Sequence, residues 1–335
     1  MKPTTYKDAG VDIGLAESFL DGAKASITKT FRKGVLTGIG HFGAFFQPDL
    51  TGMEEPVLVS STDGVGTKIK VAQMAGIHNT VGQDIVNHCV NDIMCTGAQP
   101  MYFLDYFAMG KMNKEVSLAV IVGICKAADE NDVSVIGGET AEMPGLYHGE
   151  DYDLAGTIVG IVDKKRIIDG CRITSGDVMI ALPSNGLHTN GFSLARKICF
   201  EIMRLGPKDM AGGFSKPIGT ILLKVHRSYK KHINALMDKV DVKGISHITG
   251  GGIEGNTSRI IPDGLGMEID WNAWERPTIF KLLQEWGNVP EADMRRTFNL
   301  GLGMIFIVSA DDADKAMELF KTMGEEPILA GKITS

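Results

Sequence analysis

Forty-one of the chain's 335 residues are glycine, and they cluster at the ends of apolar runs instead of recurring at a fixed period. Glycine permits turns and close backbone approaches that a Cβ forbids. Clusters of this kind suit backbone-lined binding loops, and the missing period excludes a collagen-like or low-complexity chain. The most informative cluster is Ser60-Ser61-Thr62-Asp63-Gly64-Val65-Gly66-Thr67-Lys68, fed by the extended run Pro56-Val57-Leu58-Val59. Gly64 and Gly66 let backbone N–H groups approach an anion, Thr67 adds a hydroxyl and Lys68 a cation. Asp63 would repel a bare phosphate, so the combination points to a divalent metal between carboxylate and phosphate. This is not a Walker A loop, because Lys68 stands two residues after Gly66 and Ile69 follows it. Taken alone, the stretch also reads as a plain loop.

Length favours two domains. Apolar content of 44% and charged content of 22% are those of an ordinary globular chain. A formal net charge of −7 with no basic run argues against a nucleic-acid partner. Bound phosphates must then be held by local glycines, lysines and metal. No apolar leader follows Met1, and no window approaches the roughly 18 apolar residues of a membrane span. The cysteines, Cys89, Cys95, Cys125, Cys171 and Cys199, are odd in number and lack metal-ligand spacing. They read as buried thiols of a cytoplasmic protein.

Apolar residues Ala16, Phe19, Leu20, Ala23 and Ile27 recur at helical spacing, with Lys24 beside that stripe. Strand-like runs follow at Val57–Ser60, Met101–Ala108, Val133–Ile136 and Ala155–Val162, separated by helical patterns at Thr80–Cys95 and Lys114–Asn131. The alternation predicts an α+β chain with a mixed sheet in its first domain, residues 1–166. A second α/β-type domain, residues 167–335, opens with the strand Asp177–Leu182. Helical patterns at Asn190–Arg204 and Thr220–Met237 follow, then a strand at Gly303–Ser309, a helix at Ala313–Met323 and a strand at Ile328–Ile333.

The helix at Thr80–Cys95 carries Ile85, Val86, Cys89, Val90, Ile93 and Met94 on one side and Asp84, Asn87, His88, Asn91 and Asp92 on the other. A polar stripe is ordinarily a solvated face. This one holds no Lys, Arg or Glu, only short hydrogen-bonding and metal-ligating side chains, so it reads as a ligand face with Asp92 a metal candidate beside Asp63. Gly137-Gly138-Glu139-Thr140-Ala141-Glu142-Met143-Pro144-Gly145 reads as an acid-bearing turn at a strand end, with Glu139 the better ligand candidate. His188 sits in a Gly-rich turn, and His247 precedes Gly250-Gly251-Gly252, a backbone suited to an anion. No nucleophile triad is legible. The residues alone point to a metal- and phosphate-handling enzyme with two Gly-rich half-sites and leave the substrate open.

Several of these elements, in this order, resemble one family: Tyr6-Lys7-Asp8-Ala9-Gly10-Val11-Asp12-Ile13, Thr62–Lys68, Asp92-Ile93-Met94-Cys95-Thr96-Gly97-Ala98-Gln99-Pro100, Gly137–Gly145, Tyr147–Asp153 and His247–Gly252. They resemble the phosphoribosylformylglycinamidine cyclo-ligases, or aminoimidazole ribonucleotide synthetases, from Thr5 to about Ile333. The Asp92–Pro100 element is shared with a wider ATP-using superfamily that includes formylglycinamidine ribonucleotide synthetase, selenophosphate synthetase, thiamine-monophosphate kinase and a hydrogenase maturation protein. The opening Tyr6–Val11 and the Glu142–Asp153 elements are similar to the cyclo-ligases specifically.

The resemblance implies ATP-dependent ring closure of formylglycinamidine ribonucleotide in purine synthesis, through phosphorylation of the formyl amide oxygen. It implies a homodimer whose N-terminal sheets join into a barrel, and a C-terminal α+β domain that helps close the substrate cleft. Asp63 and Asp92 would hold Mg²⁺; Gly64, Val65, Gly66, Thr67 and Lys68, with Gly138 and Glu139, would hold ATP; and Lys24, His188 and His247 would face substrate or phosphate. Rival readings are a sister phosphotransferase of that superfamily and a non-catalytic nucleotide-binding regulator. A selenophosphate synthetase would want a reactive Cys near its start, whereas the first here is Cys89. A regulator would have no need of Asp63, Asp92 and Glu139.

Overall fold

The computed structural model describes residues 4–335, which divide into two compact units. One runs to Ile93 and resumes over Gln99–Asp163; the other comprises Met94–Ala98 and Lys164–Ser335.

The first unit contains α1 (Ile13–Lys29), β1 (Pro56–Gly64), α2 (Lys68–Ala75), α3 (Asn79–Met94), β2 (Gln99–Met109), α4 (Lys114–Glu130), β3 (Ser134–Glu142) and β4 (Tyr152–Asp163). Side-chain oxygens start its longest helices: Asp12 accepts from Leu15 N at α1, and Asn113 accepts from Glu115 N and Val116 N at α4. The strands form one mixed sheet in the order β1-β4-β2-β3. β4 runs antiparallel to β1 and β2, while β2 and β3 are parallel and need the α4 crossover between them. Helices α3 and α4 cross at two glycines. A Cβ on Gly82 would lie 2.1 Å from Val120 O, and one on Gly123 would lie 2.3 Å from Asn79 O. On the opposite side of the sheet Leu58, Ser60, Thr62 and Tyr106 are exposed, so this chain leaves that face uncovered.

Two stretches read as glycine turns are strand. β1 continues through Thr62, Asp63 and Gly64, and β3 continues through Gly137, Gly138 and Glu139. Ladder pairing overrides glycine's preference for turns in both, because each glycine faces a partner strand that supplies its hydrogen bonds. At Gly138 the missing Cβ has a use: it would fall 2.2 Å from Oδ1 of Asp105, so glycine here lets the Asp105 carboxyl fold across the neighbouring strand.

The second unit contains β5 (Val178–Pro183), α5 (Phe192–Arg196), α6 (Ile218–Leu222), α7 (Lys230–Met237), β6 (Gly244–His247), α8 (Gly252–Thr257), β7 (Gly266–Ile269), α9 (Thr278–Gly287), α10 (Glu291–Thr297), β8 (Leu302–Val308), α11 (Ala313–Thr322) and β9 (Ile328–Thr334). Its five strands are antiparallel in the order β6-β8-β5-β9-β7. β8 is buried at every position, which is why Leu302–Val308 reads as an unbroken apolar run without alternation. Met179, Ala181, Leu302, Ile305 and Ile307 form one side of the core with Ile248 and Ile253.

The helix expected over Thr220–Met237 breaks into α6 and α7. Tertiary contacts pin the intervening segment outside helical geometry. Arg227 pairs with Glu325 through both terminal nitrogens, at 2.8 and 3.2 Å, and Arg227 Nη1 and Tyr229 Oη both donate to Pro183 O. The pattern at Asn190–Arg204 likewise shortens to α5 plus a π-helical turn at Lys197–Ile202.

Candidate active site

The end of β1 and the third turn of α3 meet through one imidazole. His88 Nε2 lies 2.8 Å from Oδ2 of Asp63 and 3.5 Å from Oδ2 of Asp92. Ser61 Oγ lies 3.4 Å from the same Asp92 oxygen. Burial disfavours a charged His88, but the hydrogen bond to Asp63 and the charges of Asp92, Asp63 and Asp84 outweigh it, and its pKa is raised. The ring nitrogen takes the position a cation would take between two carboxylates. Asp63 and Asp92, with the Ser61 hydroxyl beside Asp92, form a hard oxygen donor set of the kind Mg²⁺ prefers, so these residues fit that ion.

The polar stripe of α3 is therefore divided. His88 and Asp92 turn to Asp63, whereas Asp84 and Asn87 are buried in structural pairs. Asn131 Nδ2 donates to Asn87 at 2.8 Å. Lys68 Nζ lies 2.9 Å from both carboxylate oxygens of Asp84, with neither side chain exposed. Lys68 was expected to reach toward phosphate from an open loop; the structure seats its ammonium inside the fold, where it anchors α2 to α3. Burial lowers the Lys68 pKa, and Asp84 opposes that shift.

The turn into α2 is more open. Val65 is buried, with its N–H on Leu154 O at 3.0 Å, but Gly66 and Thr67 are exposed, and Gly66 adopts φ of 69°. Gly138 and Glu139 are exposed on β3, at the other edge of the sheet. Register puts Asp63, Gly156, Asp105 and Gly138 in one row across the four strands. Three strand spacings separate the ends of that row by about 14 Å. Within one chain, Glu139 and Asp63 are thus held apart. Gly138, Glu139 and Asp105 instead border a cavity of about 480 Å³ whose apolar wall includes Phe19, Ala23 and Ile27 of α1. Burial, with a smaller push from Glu139, raises the Asp105 carboxyl to about 7. Lys24 is exposed on α1, next to Ala23 of that wall.

In the second unit, His188 and His247 come together around a third histidine. His226 Nε2 is 2.9 Å from His247 Nε2, and the His226 ring stacks on His188 with centroids 4.0 Å apart and planes at 17°. All three are buried. His188 adopts φ of 60°, a strained conformation for a non-glycine residue. The triple-glycine loop is less open to anions than its sequence suggests. Gly251 N donates to Arg296 O, Gly252 N donates to Thr249 O, and Asn256 Nδ2 bonds the carbonyls of Thr249, Gly250 and Gly252.

Comparison with known proteins follows the same two-part division. Residues 48–162 match the family profile of the AIR synthase related protein N-terminal domain, and residues 174–335 match that of its C-terminal domain. The chain is 48% identical over 328 residues to the phosphoribosylformylglycinamidine cyclo-ligase of Thermodesulfovibrio yellowstonii, covering 98% of this chain and 96% of that one. It is 49% identical over 322 residues to the cyclo-ligase of Burkholderia cenocepacia, covering 96% and 91%. The chain belongs to the phosphoribosylformylglycinamidine cyclo-ligase family. The cyclo-ligase fold extends to more distant structures. Thiamine-monophosphate kinase from Stenotrophomonas maltophilia superposes with a TM-score of 0.68 at 18% identity, covering 96% of this chain and 94% of that one. The hydrogenase maturation protein HypE in complex with ATP superposes with a TM-score of 0.65 at 18% identity, covering 95% and 84%.

Two residues of this cyclo-ligase family member were not singled out by its sequence. His88 was one of five polar residues on a stripe, and only the fold shows that it bridges Asp63 and Asp92. His226 lay inside a stretch with helical spacing, where a lone histidine carries no signal.

Proposed function

We propose that the protein closes an imidazole ring, converting formylglycinamidine ribonucleotide to aminoimidazole ribonucleotide with ATP cleaved to ADP and phosphate. The observation that carries this reading is the 48% identity to a curated cyclo-ligase across 98% of the chain. The formyl amide oxygen attacks the terminal phosphorus of ATP and ADP departs. The amidine-side nitrogen then attacks the activated carbon, the C–O bond breaks, and the oxygen leaves with phosphate. The step belongs to purine biosynthesis, and the enzyme is an ATP-dependent ligase forming a C–N bond.

Phosphoryl transfer depends on position and charge neutralisation more than on covalent chemistry. Asp63 and Asp92 hold Mg²⁺ in this reading, supported by their shared approach to the His88 ring. The metal, when bound, neutralises charge on the transferred phosphoryl group. The exposed Gly66 and Thr67 backbone, continuing from Gly64 and Val65, receives phosphate oxygens at the start of α2. Gly138, Glu139 and Lys24 border the nucleotide from the α1 side, and His188 and His247 face the substrate. Lys68 supports this end of the site through Asp84. The protein acts as a homodimer through the uncovered sheet face, where Leu58 is 65% and Tyr106 is 40% exposed. Burial of apolar side chains of that size favours a second sheet over water, and joining of the two sheets gives the barrel. Five free cysteines accord with a reducing, cytoplasmic setting. Among the described residues no helix is long and apolar enough to cross a membrane.

The test is incubation with ATP, Mg²⁺ and formylglycinamidine ribonucleotide, followed by mass spectrometry. The expected product is lighter than substrate by one water, with ADP and phosphate formed in equal amounts. ATP consumption that needs thiamine phosphate or another acceptor instead would replace this substrate with that of a sister enzyme.

A further inference from the structure

The turn that carries His188, residues 183–188, is held by a side chain from the loop before β8. Asn299 is buried there. Its Oδ1 accepts from Gly301 N at 2.9 Å and from Ser184 Oγ at 2.9 Å, and its Nδ2 donates to Gly186 O at 2.9 Å. A backbone N–H can only donate and a backbone carbonyl can only accept, so Gly301 and Gly186 fix which end of the amide is oxygen. Ser184 N donates to Gly301 O at 2.8 Å and completes the joint. The bond to Gly301 closes an Asx turn within Asn299's own loop, where Leu300 and Gly301 adopt φ of 51° and 108°. The bonds to Ser184 and Gly186 reach a different segment, and closing that loop does not require them.

His188 needs that support. Its φ of 60° is one a non-glycine residue keeps only where its surroundings over-determine it. Its ring also rests against β8. A Cβ on Gly303 would lie 2.8 Å from His188 Cε1 and 1.9 Å from Tyr229 Oη, and Tyr229 Oη in turn donates to Pro183 O at the start of the turn. The segment from Asn299 to Gly303 thus meets the histidine twice, through the backbone of its turn and through its ring. We infer that Asn299 is a positioning residue for His188, its amide locking the histidine's turn to the start of β8 so that the imidazole stays aimed at substrate. The catalytic consequence rests on the proposed substrate-facing role of His188; the locking of the turn does not.

The informative variant is Asn299→Asp. A carboxylate keeps the acceptor for Gly301 N and Ser184 Oγ, and with it the Asx turn, but loses the donor to Gly186 O. Thermal unfolding sets the temperature range in which the variant is folded. Asn299→Ser, whose hydroxyl can also accept from a backbone N–H two residues on, takes its place if the carboxylate prevents folding. Within that range kcat should fall roughly ten- to a hundredfold, as for a catalytic group displaced by about 1 Å, with KM for ATP within about twofold of wild type. In a His188→Ala background the same substitution should cost less than about twofold, since Asn299 acts through that ring. The Cε1–Hε1 NMR signal of His188, assigned by its absence in His188→Ala, should shift in Asn299→Asp whether or not substrate is present. Three results would each overturn the proposal: losses that multiply in the double variant, wild-type kcat in Asn299→Asp while His188→Ala is impaired, or an unshifted His188 signal. A His188→Ala enzyme that closes the ring at the wild-type rate would remove the substrate-facing role of His188. The NMR shift alone would then decide whether Asn299 holds its turn.

Discussion

The buried ion pair between Lys68 and Asp84 gives a prediction whose size follows from its geometry. Both side chains are fully buried, and the ammonium is 2.9 Å from each carboxylate oxygen. Replacing Lys68 with Met keeps most of the side-chain volume but leaves the Asp84 carboxylate without its ammonium in a fully buried site. An uncompensated buried charge of this kind costs about 3–5 kcal/mol. In a domain of this size, each kcal/mol lowers Tm by roughly 2–4 °C, so the melting point of the N-terminal unit should drop by about 10 °C. The double variant Lys68→Met with Asp84→Leu removes the stranded charge as well and should recover to within about 1 kcal/mol of wild type. Thermal unfolding without ligand, followed by calorimetry at one fixed pH, reads both effects. A single variant that melts within 2 °C of wild type on the order expected for surface changes, or a double variant as unstable as the single, would refute the assignment of Lys68 as a structural anchor.

Three further predictions test other parts of the site. Asp92→Asn should lower kcat by about 10²-fold or more and raise the Mg²⁺ concentration needed for half-maximal rate; wild-type activity and metal dependence would remove Asp92 from the metal site. Asp105, with its carboxyl raised to about 7, is protonated more in the folded than in the unfolded protein at intermediate pH. Its stabilisation is complete below the unfolded value and is lost as pH rises through about 7. The full shift corresponds to about 4 kcal/mol, and the partial exposure of Asp105 reduces this to roughly 2. Tm of the first unit should therefore fall between pH 5 and pH 8 on the order of several degrees, and Asp105→Asn should flatten that slope; an unchanged slope sinks the claim. Gly138→Ala drives a Cβ to 2.2 Å from Asp105 Oδ1 and 2.7 Å from Asp105 O, and the second of these is backbone. A loss of about 1–3 kcal/mol by urea denaturation is expected, and a neutral substitution would show that the strands can separate freely there.

Much of the architecture was legible because periodic apolar patterns survive in sequence. The stripe of α3 and the apolar run of β8 each announce their element, and the partnership of Asp63 with Asp92 follows from a strand end and a helix face that the fold brings together. What sequence hid is set by contacts between distant segments. β3 continues through Gly137 and Gly138, past a register shift at Ile136, because β2 supplies its ladder, which local glycine preference cannot reveal. Lys68 looks like a phosphate ligand until Asp84, sixteen residues on, is seen to bury it. His226 joins His188 and His247 in a segment whose neighbouring residues Glu325 and Pro183 hold out of a helix, which helical spacing alone conceals. Glu139 and Asp63 read as members of one acidic set, yet they sit at opposite edges of the sheet.

In the proposed reaction the formyl oxygen is activated by phosphorylation and leaves as phosphate. This route is tested most directly by supplying substrate labelled with ¹⁸O in the formyl group and analysing the products of one turnover in unlabelled water. Each inorganic phosphate released should carry one labelled oxygen, matched by one ring closed. Label in water with unlabelled phosphate would mean that ATP cleavage and ring closure proceed without an oxygen–phosphorus bond between them, and would contradict the account.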